Sequence, residues 1–286
     1  MLTSKLKEVV PEFIKQILRT LRQGIIYLKI TENLIASPFH AAPIFILGNQ
    51  KSGTSAIAAL LAELTALSAI VDLKKEIENP TYHRVKIGEL SFAEFVKLNR
   101  LDFSKDIIKE PNLTLLYQEL NDYFPRAKFV FVIRDPRDNI RSMLDRLQIP
   151  GNLSQLDQNH WQKITPAWEL IINNQWLGIE GENYIEMLAG RWNYTTNIFW
   201  QHQDKMILTR YEDFLQDKIG ELVRIANELG LKPLKDITDK VDIQFQPRGN
   251  REVKWEDFFG NENLRKIELI CGDKMKLFGY QIHNQK

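Results

Sequence analysis

A short polar loop between an apolar run and a segment rich in Ala and Leu is the first stretch that could do chemistry. Residues 43–61 read PIFILGNQKSGTSAIAALL, and Gly48 and Gly53 bound the loop. The apolar run is typical of a buried parallel strand, and the segment after the loop favours a helix. In such a strand–loop–helix unit, backbone N–H groups and the positive end of the helix point at one anion. The sequence therefore predicts a phosphate-binding loop.

This loop differs from the ATP-binding P-loop at one informative position. The ATP-type pattern G-x-x-x-x-G-K-[ST] has a lysine directly after the second glycine. Here Thr54 stands at that position, and the lysine of the loop is Lys51. The loop has thereby lost a usual contact with β- and γ-phosphates, which favours a different anion. The alternative is a strand–turn–helix unit in which Lys51 has no function.

Three further polar clusters follow, each at or just after a predicted strand. They read IIKEP, FVIRDPRDNIRS and RYED, at residues 107–111, 131–142 and 210–213. In the middle cluster, Asp135 is a plausible helix N-cap and Pro136 suits the first helical turn. Ligands of open α/β sheets gather at the carboxyl ends of the strands. The middle cluster therefore predicts a second anion site close to the first.

In this order, the four motifs resemble the sulfotransferases that use 3′-phosphoadenosine 5′-phosphosulfate (PAPS), over about residues 43–260. The resemblance implies a three-layer α/β fold, with a central, mostly parallel sheet flanked by helices and a P-loop-like strand–loop–helix unit. It also implies PAPS as the donor, 3′-phosphoadenosine 5′-phosphate (PAP) as the product and no metal. The implied reaction is in-line transfer of a sulfuryl group to a hydroxyl or amine of an acceptor.

The resemblance assigns the donor's two anionic groups to separate motifs. Arg134 and Ser142 would bind the 3′-phosphate, to which the planar guanidinium fork is well matched. An ion pair between Arg134 and Asp138 is the alternative. The 5′-phosphosulfate would be held by five consecutive residues of the loop, Lys51, Ser52, Gly53, Thr54 and Ser55.

Contacts with the nucleoside are less completely matched. Tyr211 corresponds to a tyrosine near the adenine and ribose, although a packing role fits it equally well. Arg248 and Gly249 resemble a segment that closes over the 3′-phosphate, but the lysine expected between them is missing. Ala56 stands where the family has an adenine-stacking tryptophan, so another aromatic residue must stack on the base, or none does.

The catalytic groups are assigned by the same resemblance. Lys51 is the candidate cation at the leaving oxygen, and Lys109 would contact the sulfonate, unless it is a surface lysine at a strand end. Pro111 replaces the histidine that some members use as the base. Other members use a glutamate after the second strand, which Glu76 matches; its rivals are Asp72, Glu78 and His83.

Composition limits the alternatives. The chain has 286 residues with 44% apolar content, which is enough for one large α/β domain or two small ones. We expect one, which the resemblance implies is a single sulfotransferase-like domain over 1–286. Its formal net charge of +1 gives no bulk argument for nucleic acid. Cys271 is the single cysteine, and the five histidines lack metal-site spacing, so no disulfide or metal is expected. Neither a transmembrane stretch nor a signal peptide is apparent, and we expect a cytoplasmic protein.

The remaining elements are predicted from periodicity and turn residues. Residues 1–37 predict a helical lead-in with a basic face, which packs on the domain or contacts an anionic membrane or partner. Residues 72–90 are polar and irregular. Residues 149–204 predict an insert on the acceptor side, with most of its tryptophans in the core. Strands are expected at residues 44–47, 69–71, 106–109, 128–133 and 206–209. A helix with the capping-box spacing of Ser91 and Glu94 is expected after 91, and another helix at 112–124.

Two other functions remain open from the sequence. A kinase-like phosphotransferase using ATP and Mg²⁺ would share the strand–loop–helix unit, although the missing lysine argues against it. A catalytically idle nucleotide-binding protein would keep the donor site without a base. The acceptor is a glycan, lipid, peptide or small molecule, with a slight preference for the first three because the histidine is absent.

Overall fold

A parallel β-sheet of five strands organises the described part of the chain, residues 39–245 and 252–282 of a computed structural model. The strand order is β2-β3-β1-β4-β5, and every neighbouring pair is parallel. All five strands therefore end at the same edge of the sheet. The strands are β1 Ile44–Gly48, β2 Ala69–Val71, β3 Ile107–Lys109, β4 Lys128–Ile133 and β5 Met206–Arg210.

Helices connect the strands. In chain order they are α1 Thr54–Thr65, α2 Lys74–Glu78, α3 Tyr82–Lys86, α4 Phe92–Leu98, α5 Tyr117–Tyr123, α6 Pro136–Leu147, α7 Gln158–Gln162, α8 Pro166–Ile172, α9 Tyr184–Gln201, α10 Tyr211–Gln216, α11 Lys218–Glu228 and α12 Trp255–Leu277. In the part of the chain that the structure describes, four short 3₁₀ segments cover Asp102–Ser104, Pro111–Leu116, Gln175–Leu177 and Gln203–Lys205. Within α12, Gly260 leaves the helical conformation and bends the helix.

The apolar strands have both faces covered, as expected of a buried parallel sheet. Side chains alternate along a strand, so Ile46 and Val130 pack with Ile57 of α1 and Ile225 of α11 in one cluster. On the other face, Phe131 of β4 stacks on Phe199 of α9, with 5.0 Å between the ring centroids. The sheet is therefore the middle of three layers, and the predicted fold class is confirmed.

Sequence patterns placed the regular elements well. All five predicted strands are present, with ends shifted by a residue at most. The capping box predicted before α4 is also present: the Ser91 hydroxyl accepts from the Glu94 N–H, and the Glu94 carboxylate accepts from the Ser91 N–H.

Two segments differ from the prediction. Residues 72–90 contain the short helices α2 and α3, where an irregular stretch was expected. Five-residue helices are too short for a readable periodicity, and side-chain hydrogen bonds stabilise their ends instead. The helix expected at 112–124 begins as a 3₁₀ segment, because Glu110 accepts from the Asn112 N–H and Pro111 occupies the first turn.

The predicted insert at residues 149–204 is mostly helical and comprises α7, α8 and α9. Trp192 of α9 is buried, whereas Trp161 and Trp200 are 36% and 38% exposed. The prediction that most of these tryptophans lie in the core is therefore wrong, since amphipathic rings also occupy half-exposed positions. The lead-in helix predicted at residues 1–37 lies outside the described residues.

The polar loop after β1 is attached to the fold by one buried hydroxyl. Thr114 is fully buried, and its Oγ accepts from the Gly48 N–H at 2.9 Å and donates to the Gly48 carbonyl at 3.0 Å. Two backbone groups that β-pairing leaves unpaired at the start of the loop are thereby satisfied. The 3₁₀ segment that contains Thr114 thus fixes where the loop begins.

We expect Thr114→Val, which keeps the shape but removes the hydroxyl, to lower the free energy of unfolding by about 1–3 kcal/mol. The reason is that both backbone groups of Gly48 lose their partner. Urea unfolding measures this value, with Thr114→Ser as the control that keeps the hydroxyl. A loss in Thr114→Ser with none in Thr114→Val would show that packing of the methyl group, rather than the hydroxyl, anchors the loop.

Candidate active site

The loop between β1 and α1 has the geometry of an anion cradle. Lys51 and Gly53 both have positive φ, 64° and 96°, which turns the backbone sharply before the helix. Gly53 is the N-cap of α1, so no side chain caps the helix, and its first turn carries no acidic residue. Backbone N–H groups at the start of a helix point away from it, toward the place where an anion would bind. A Cβ on Gly53 would overlap the ring of Tyr211.

Arg134 lies directly against this loop. It follows β4, and its Nη1 donates to the Lys51 carbonyl at 3.0 Å. Its guanidinium carbon lies 4.8 Å from the centroid of the Tyr211 ring, the same ring that covers Gly53. Trp192 holds the backbone of Arg134 by donating its indole N–H to the Arg134 carbonyl at 2.9 Å. The two predicted anion sites are therefore adjacent.

The neighbouring arginines of α6 have structural partners. Asp138, which was the alternative ion-pair partner considered for Arg134, pairs with Arg141 at 2.6 Å. Arg137 is buried and pairs with Asp135 at 2.6 Å and with Glu268 of α12 at 2.7 Å. Both arginines are therefore engaged in ion pairs.

One cavity of about 1040 Å³ lies over the carboxyl edge of the sheet. Its size suits a nucleotide together with part of a second substrate. It brings together residues from the ends of β1, β2, β3, β4 and β5, as expected at the ligand edge of a parallel sheet. The predicted residues in its wall are Lys51, Gly53, Thr54, Ser55, Asp72, Glu76, Lys109, Arg134, Ser142 and Tyr211. Ser52, which belongs to the same loop, is buried and does not line the cavity.

Positive charge is concentrated in this cavity. Burial, followed by repulsion from Arg146, Arg134 and Lys109, lowers the pKa of Lys51 from 10.5 to about 8. Four cations that repel one another in the ligand-free protein form a site that an anion stabilises. Arg146 was not predicted; it lies one helical turn beyond Ser142, a spacing that places both on one face of α6.

The second lysine of the site, Lys109, lies in the wall of the same cavity. Lys109 is buried at the end of β3 and forms an ion pair with Asp72, which follows β2. Asp72 has a positive φ of 68° and a side chain that is 28% exposed. Strained non-glycine backbone of this kind is common at functional sites. Lys109 is therefore not a surface lysine.

Glu110 is a buried carboxylate that the sequence did not single out. Burial, followed by repulsion from Asp72, raises the pKa of Glu110 to about 7. Its Oε1 accepts from the N–H and the Nδ2 of Asn112, both at 3.0 Å, and its Oε2 accepts from the Leu73 N–H at 3.4 Å. The residue looked unremarkable in sequence because its neighbours Asp72 and Leu73 are distant along the chain.

The predicted base Glu76 is occupied by structural hydrogen bonds. Its carboxylate accepts from the N–H and hydroxyl of Thr81, the N–H of Tyr82 and Nδ2 of Asn99, at 2.5, 2.7, 3.0 and 3.2 Å. It thereby caps the start of α3. Of its rivals, Glu78 is exposed and absent from the wall of the cavity.

His83 is separated from the loop between β1 and α1, residues 48–54, which we call the donor loop. It lines a second cavity with Trp176 and Pro80, on the side of α8 that faces α2 and α3. Burial lowers the pKa of His83, which favours its neutral form. Among the four candidate bases, Asp72 therefore combines a partly exposed carboxylate with direct contact to a predicted site residue.

Arg191 is a residue next to the site that nothing in the sequence singled out. This fully buried arginine of α9 donates to side chains of the donor loop, as described below. Its sequence context, a helix with mixed polar and apolar residues, gave no signal. Arg248 and Gly249 lie outside the described residues.

No helix within residues 39–245 and 252–282 is long and apolar enough to cross a membrane. In the same ranges, no group of three or more His, Cys, Asp or Glu side chains could hold a metal ion.

Comparison with known proteins identifies the class. A family model described as the sulfotransferase domain matches residues 41–247. The match covers the donor loop, Lys109, Arg134 and Tyr211, and the chain therefore belongs to the sulfotransferase family. The predicted family is confirmed, and sulfuryl transfer is the reaction that this membership assigns to the cavity.

Solved structures agree with this class at the level of the fold. Sulfotransferase STF9 from Mycobacterium avium has a TM-score of 0.52 and 12% identity, over 91% of this chain and 82% of that one. Sulfotransferase STF1 from Mycobacterium tuberculosis H37Rv has a TM-score of 0.50 and 14% identity, covering 85% and 80%. Mouse sulfotransferase SULT7A1, complexed with PAP, has a TM-score of 0.50 and 17% identity, covering 86% and 88%. A sequence comparison with curated proteins finds no match.

We expect the pKa of Lys51 to appear in the pH dependence of stability of the ligand-free protein. Because its pKa is about 8 when folded and 10.5 when unfolded, the unfolded chain binds more protons between these values. The contribution of Lys51 to the free energy of unfolding therefore rises with pH across this window. Urea unfolding at pH 7.5 to 10.5 should show the parent gaining stability relative to Lys51→Met.

Lys97→Met on the surface of α4 is the control, for which the difference from the parent should stay constant with pH. A constant difference for Lys51→Met as well would contradict the crowding of cations described above.

Proposed function

We propose that this protein transfers the sulfuryl group of PAPS to a hydroxyl-bearing acceptor. The observation that carries the proposal is the direct contact between the two anion sites, in which Arg134 donates to the Lys51 carbonyl while Tyr211 covers both Arg134 and Gly53. PAPS carries a phosphosulfate and a separate 3′-phosphate on one nucleoside, and so presents two anions to such a pair of sites. The PAP complex of the mouse neighbour supports the same donor.

The donor loop binds the phosphosulfate in this proposal. Its backbone N–H groups and Lys51 face the anion, and Lys51 stabilises the charge that develops on the bridging oxygen. Ser52 Oγ accepts from Asn139 Nδ2 at 3.0 Å, which leaves the Ser52 hydroxyl proton available for donation to another acceptor. Thr54 and Ser55 extend the cradle into the first turn of α1.

The 3′-phosphate is assigned to Arg134 and Ser142, which both line the cavity. The adenine of PAPS lies where Leu215, Ile243 and Phe245 form an apolar wall. Phe245 takes the place of the missing tryptophan as the ring that stacks on adenine, because it is the aromatic side chain of that wall. The Tyr211 ring packs against both Gly53 of the donor loop and Arg134, and thereby helps to fix the distance between the two anion sites.

The reaction needs a proton acceptor, which we assign to Asp72. The acceptor oxygen bonds to sulfur as the bond from sulfur to the bridging oxygen breaks, and Asp72 takes the proton of the attacking hydroxyl. Lys109, paired with Asp72, donates to the sulfonate oxygens and balances both charges. Asp72 replaces Glu76 in this role because both oxygens of Glu76 already accept from the backbone and side chains of α3 and α4 neighbours.

The acceptor lies against the wall formed by α2 and α8. Ile77, Ala167, Trp168 and Ile171 line this part of the cavity. An apolar wall with one ring suits an acceptor whose hydroxyl is attached to an apolar or ring-containing body. The part of the predicted insert that serves the acceptor is therefore α8 and the residues just before it.

The donor assignment predicts a ligand preference. We expect PAP to raise the melting temperature more than ADP or ATP with Mg²⁺, because only PAP places a phosphate against Arg134. Arg134→Ala should lower PAP affinity by about tenfold or more, with ADP affinity much less affected. Calorimetric titration measures both values.

Arg126→Ala is a matched control, since Arg126 precedes β4 whereas Arg134 follows it, at the opposite edge of the sheet. Tighter binding of ATP with Mg²⁺ than of PAP would instead favour a phosphotransferase.

The base assignment separates two carboxylates, Asp72 and Glu76. We expect Asp72→Asn to lower kcat about 10²–10⁴-fold, as for loss of a general base, while PAP affinity changes little. Glu76→Gln should mainly lower the melting temperature, because its hydrogen bonds stabilise α3. Labelled-sulfate transfer to a panel of hydroxyl acceptors measures the rates. A folded Glu76→Gln protein as inactive as Asp72→Asn would return the role to Glu76, and an inactive parent that binds PAP would indicate an idle donor site.

A further inference from the structure

The fully buried guanidinium of Arg191 has an unusual set of partners. It donates to the side-chain oxygens of Asn49 and Gln50 at 3.2 Å each, and to those of Asn174 and Asn112 at 2.9 Å each. All four acceptors are neutral amides. Within residues 39–245 and 252–282, no carboxylate forms an ion pair with it; the nearest acidic influence is the buried Glu110, which reaches it through Asn112. Buried charges are normally paired, because removing an ion from water without a counter-charge is costly.

A guanidinium donates hydrogen bonds and cannot accept them. Each of the four amides must therefore turn its oxygen toward Arg191 and its NH₂ group away from it. The orientation of four side chains is thus fixed by one residue. Two of these side chains, Asn49 and Gln50, belong to the donor loop itself.

The first chain of hydrogen bonds runs from Arg191 through the loop to a donor for the anion. Asn49 Nδ2, turned away from the guanidinium, donates to Asn139 Oδ1 at 3.0 Å. Asn139 Nδ2 then donates to the Gln50 carbonyl at 2.6 Å and to Ser52 Oγ at 3.0 Å. Since every bond points the same way, the Ser52 hydroxyl receives a hydrogen bond and its own proton is directed elsewhere.

A second chain holds the loop from the side of β3. Gln50 Nε2 donates to Asn112 Oδ1 at 2.6 Å, an oxygen that also accepts from Arg191. Asn112 Nδ2 donates in turn to Glu110 at 3.0 Å. The loop is consequently fixed between α9, α6 and the 3₁₀ segment after β3. The positive charge at the centre of this arrangement lies directly behind the anion cradle.

We propose that Arg191 is a positioning residue for the 5′-phosphosulfate: its guanidinium orients the amides beneath the loop and supplies the buried positive charge that the donor's 5′-anion balances. This inference rests on the proposed function, because it takes PAP as the ligand of the cavity. Arg191 acts through Asn49, Gln50 and Asn139 and does not itself line the cavity. A residue that merely stabilised the fold would affect both anion sites alike, whereas Arg191 affects the 5′ site selectively.

The test compares two ligands that differ by the 5′-phosphate, PAP and adenosine 3′-phosphate. For Arg191→Gln, we expect PAP affinity to fall about tenfold or more, while the affinity for adenosine 3′-phosphate stays within about twofold of the parent. Calorimetric titration gives both dissociation constants, and circular dichroism checks the fold. An equal loss for the two ligands, or no loss for either, would overturn the proposal.

Two milder variants keep the test valid if Arg191→Gln does not fold. Asn49→Ala breaks the chain to Asn139 and Ser52 but leaves the guanidinium in place, and should weaken PAP selectively. Asn174→Ala is the matched control: it removes an acceptor of the same guanidinium on the side away from the loop, where its Nδ2 donates to the Ile171 and Met187 carbonyls. It should leave the ratio of the two affinities unchanged. Equal ratios in Asn49→Ala and Asn174→Ala would overturn the proposal.

The outcomes for the parent protein separate this inference from the proposed function. If the parent binds neither ligand, the proposed function fails and the inference fails with it. If the parent binds PAP more tightly than adenosine 3′-phosphate but Arg191→Gln keeps the parent's ratio, the inference alone fails.

Discussion

Parallel pairing of β1 with both β3 and β4 is the constraint on which the rest of this structure depends. Ile46 is in register with Lys109 on one side and with Val130 on the other. Because all three strands run in the same direction, the donor loop, Lys109 and Arg134 leave the sheet side by side. No other contact is needed to bring residues from three distant parts of the sequence to one edge. The helices and buried amides then adjust positions that the sheet has already set.

The positive charges assembled at this edge favour an anion-bound state over the ligand-free state of the protein. Lys51, Lys109, Arg134 and Arg146 repel one another in the ligand-free state, and Arg191 adds a buried charge that faces neutral oxygens. Such preorganised charge loses no free energy to reorganisation when the ligand arrives. The ion pairs of Arg137 with Asp135 and Glu268 connect α6 to α12, and Arg141 pairs with Asp138 within α6.

Sequence reasoning succeeded where the chemistry is local and failed where it depends on tertiary contacts. The strand–loop–helix unit and the cluster after β4 each fit within about a dozen residues, so their spacing shows what they can bind. Asp72 and Glu76 both follow β2, and choosing between them requires knowing that Thr81, Tyr82 and Asn99 occupy Glu76. Arg191 is 142 positions from Asn49, and nothing in the local pattern of α9 predicts that the two meet.

The crowding of cations around the donor loop has a consequence for the lifetime of the protein. Binding of an anion that neutralises them stabilises the native state by an amount that grows with the logarithm of ligand concentration. The population of partly opened molecules, on which proteases and aggregation act, falls accordingly. Donor supply thus sets both the rate of the reaction and the amount of enzyme that survives to perform it. When the donor is scarce, the empty protein is the form that is degraded first.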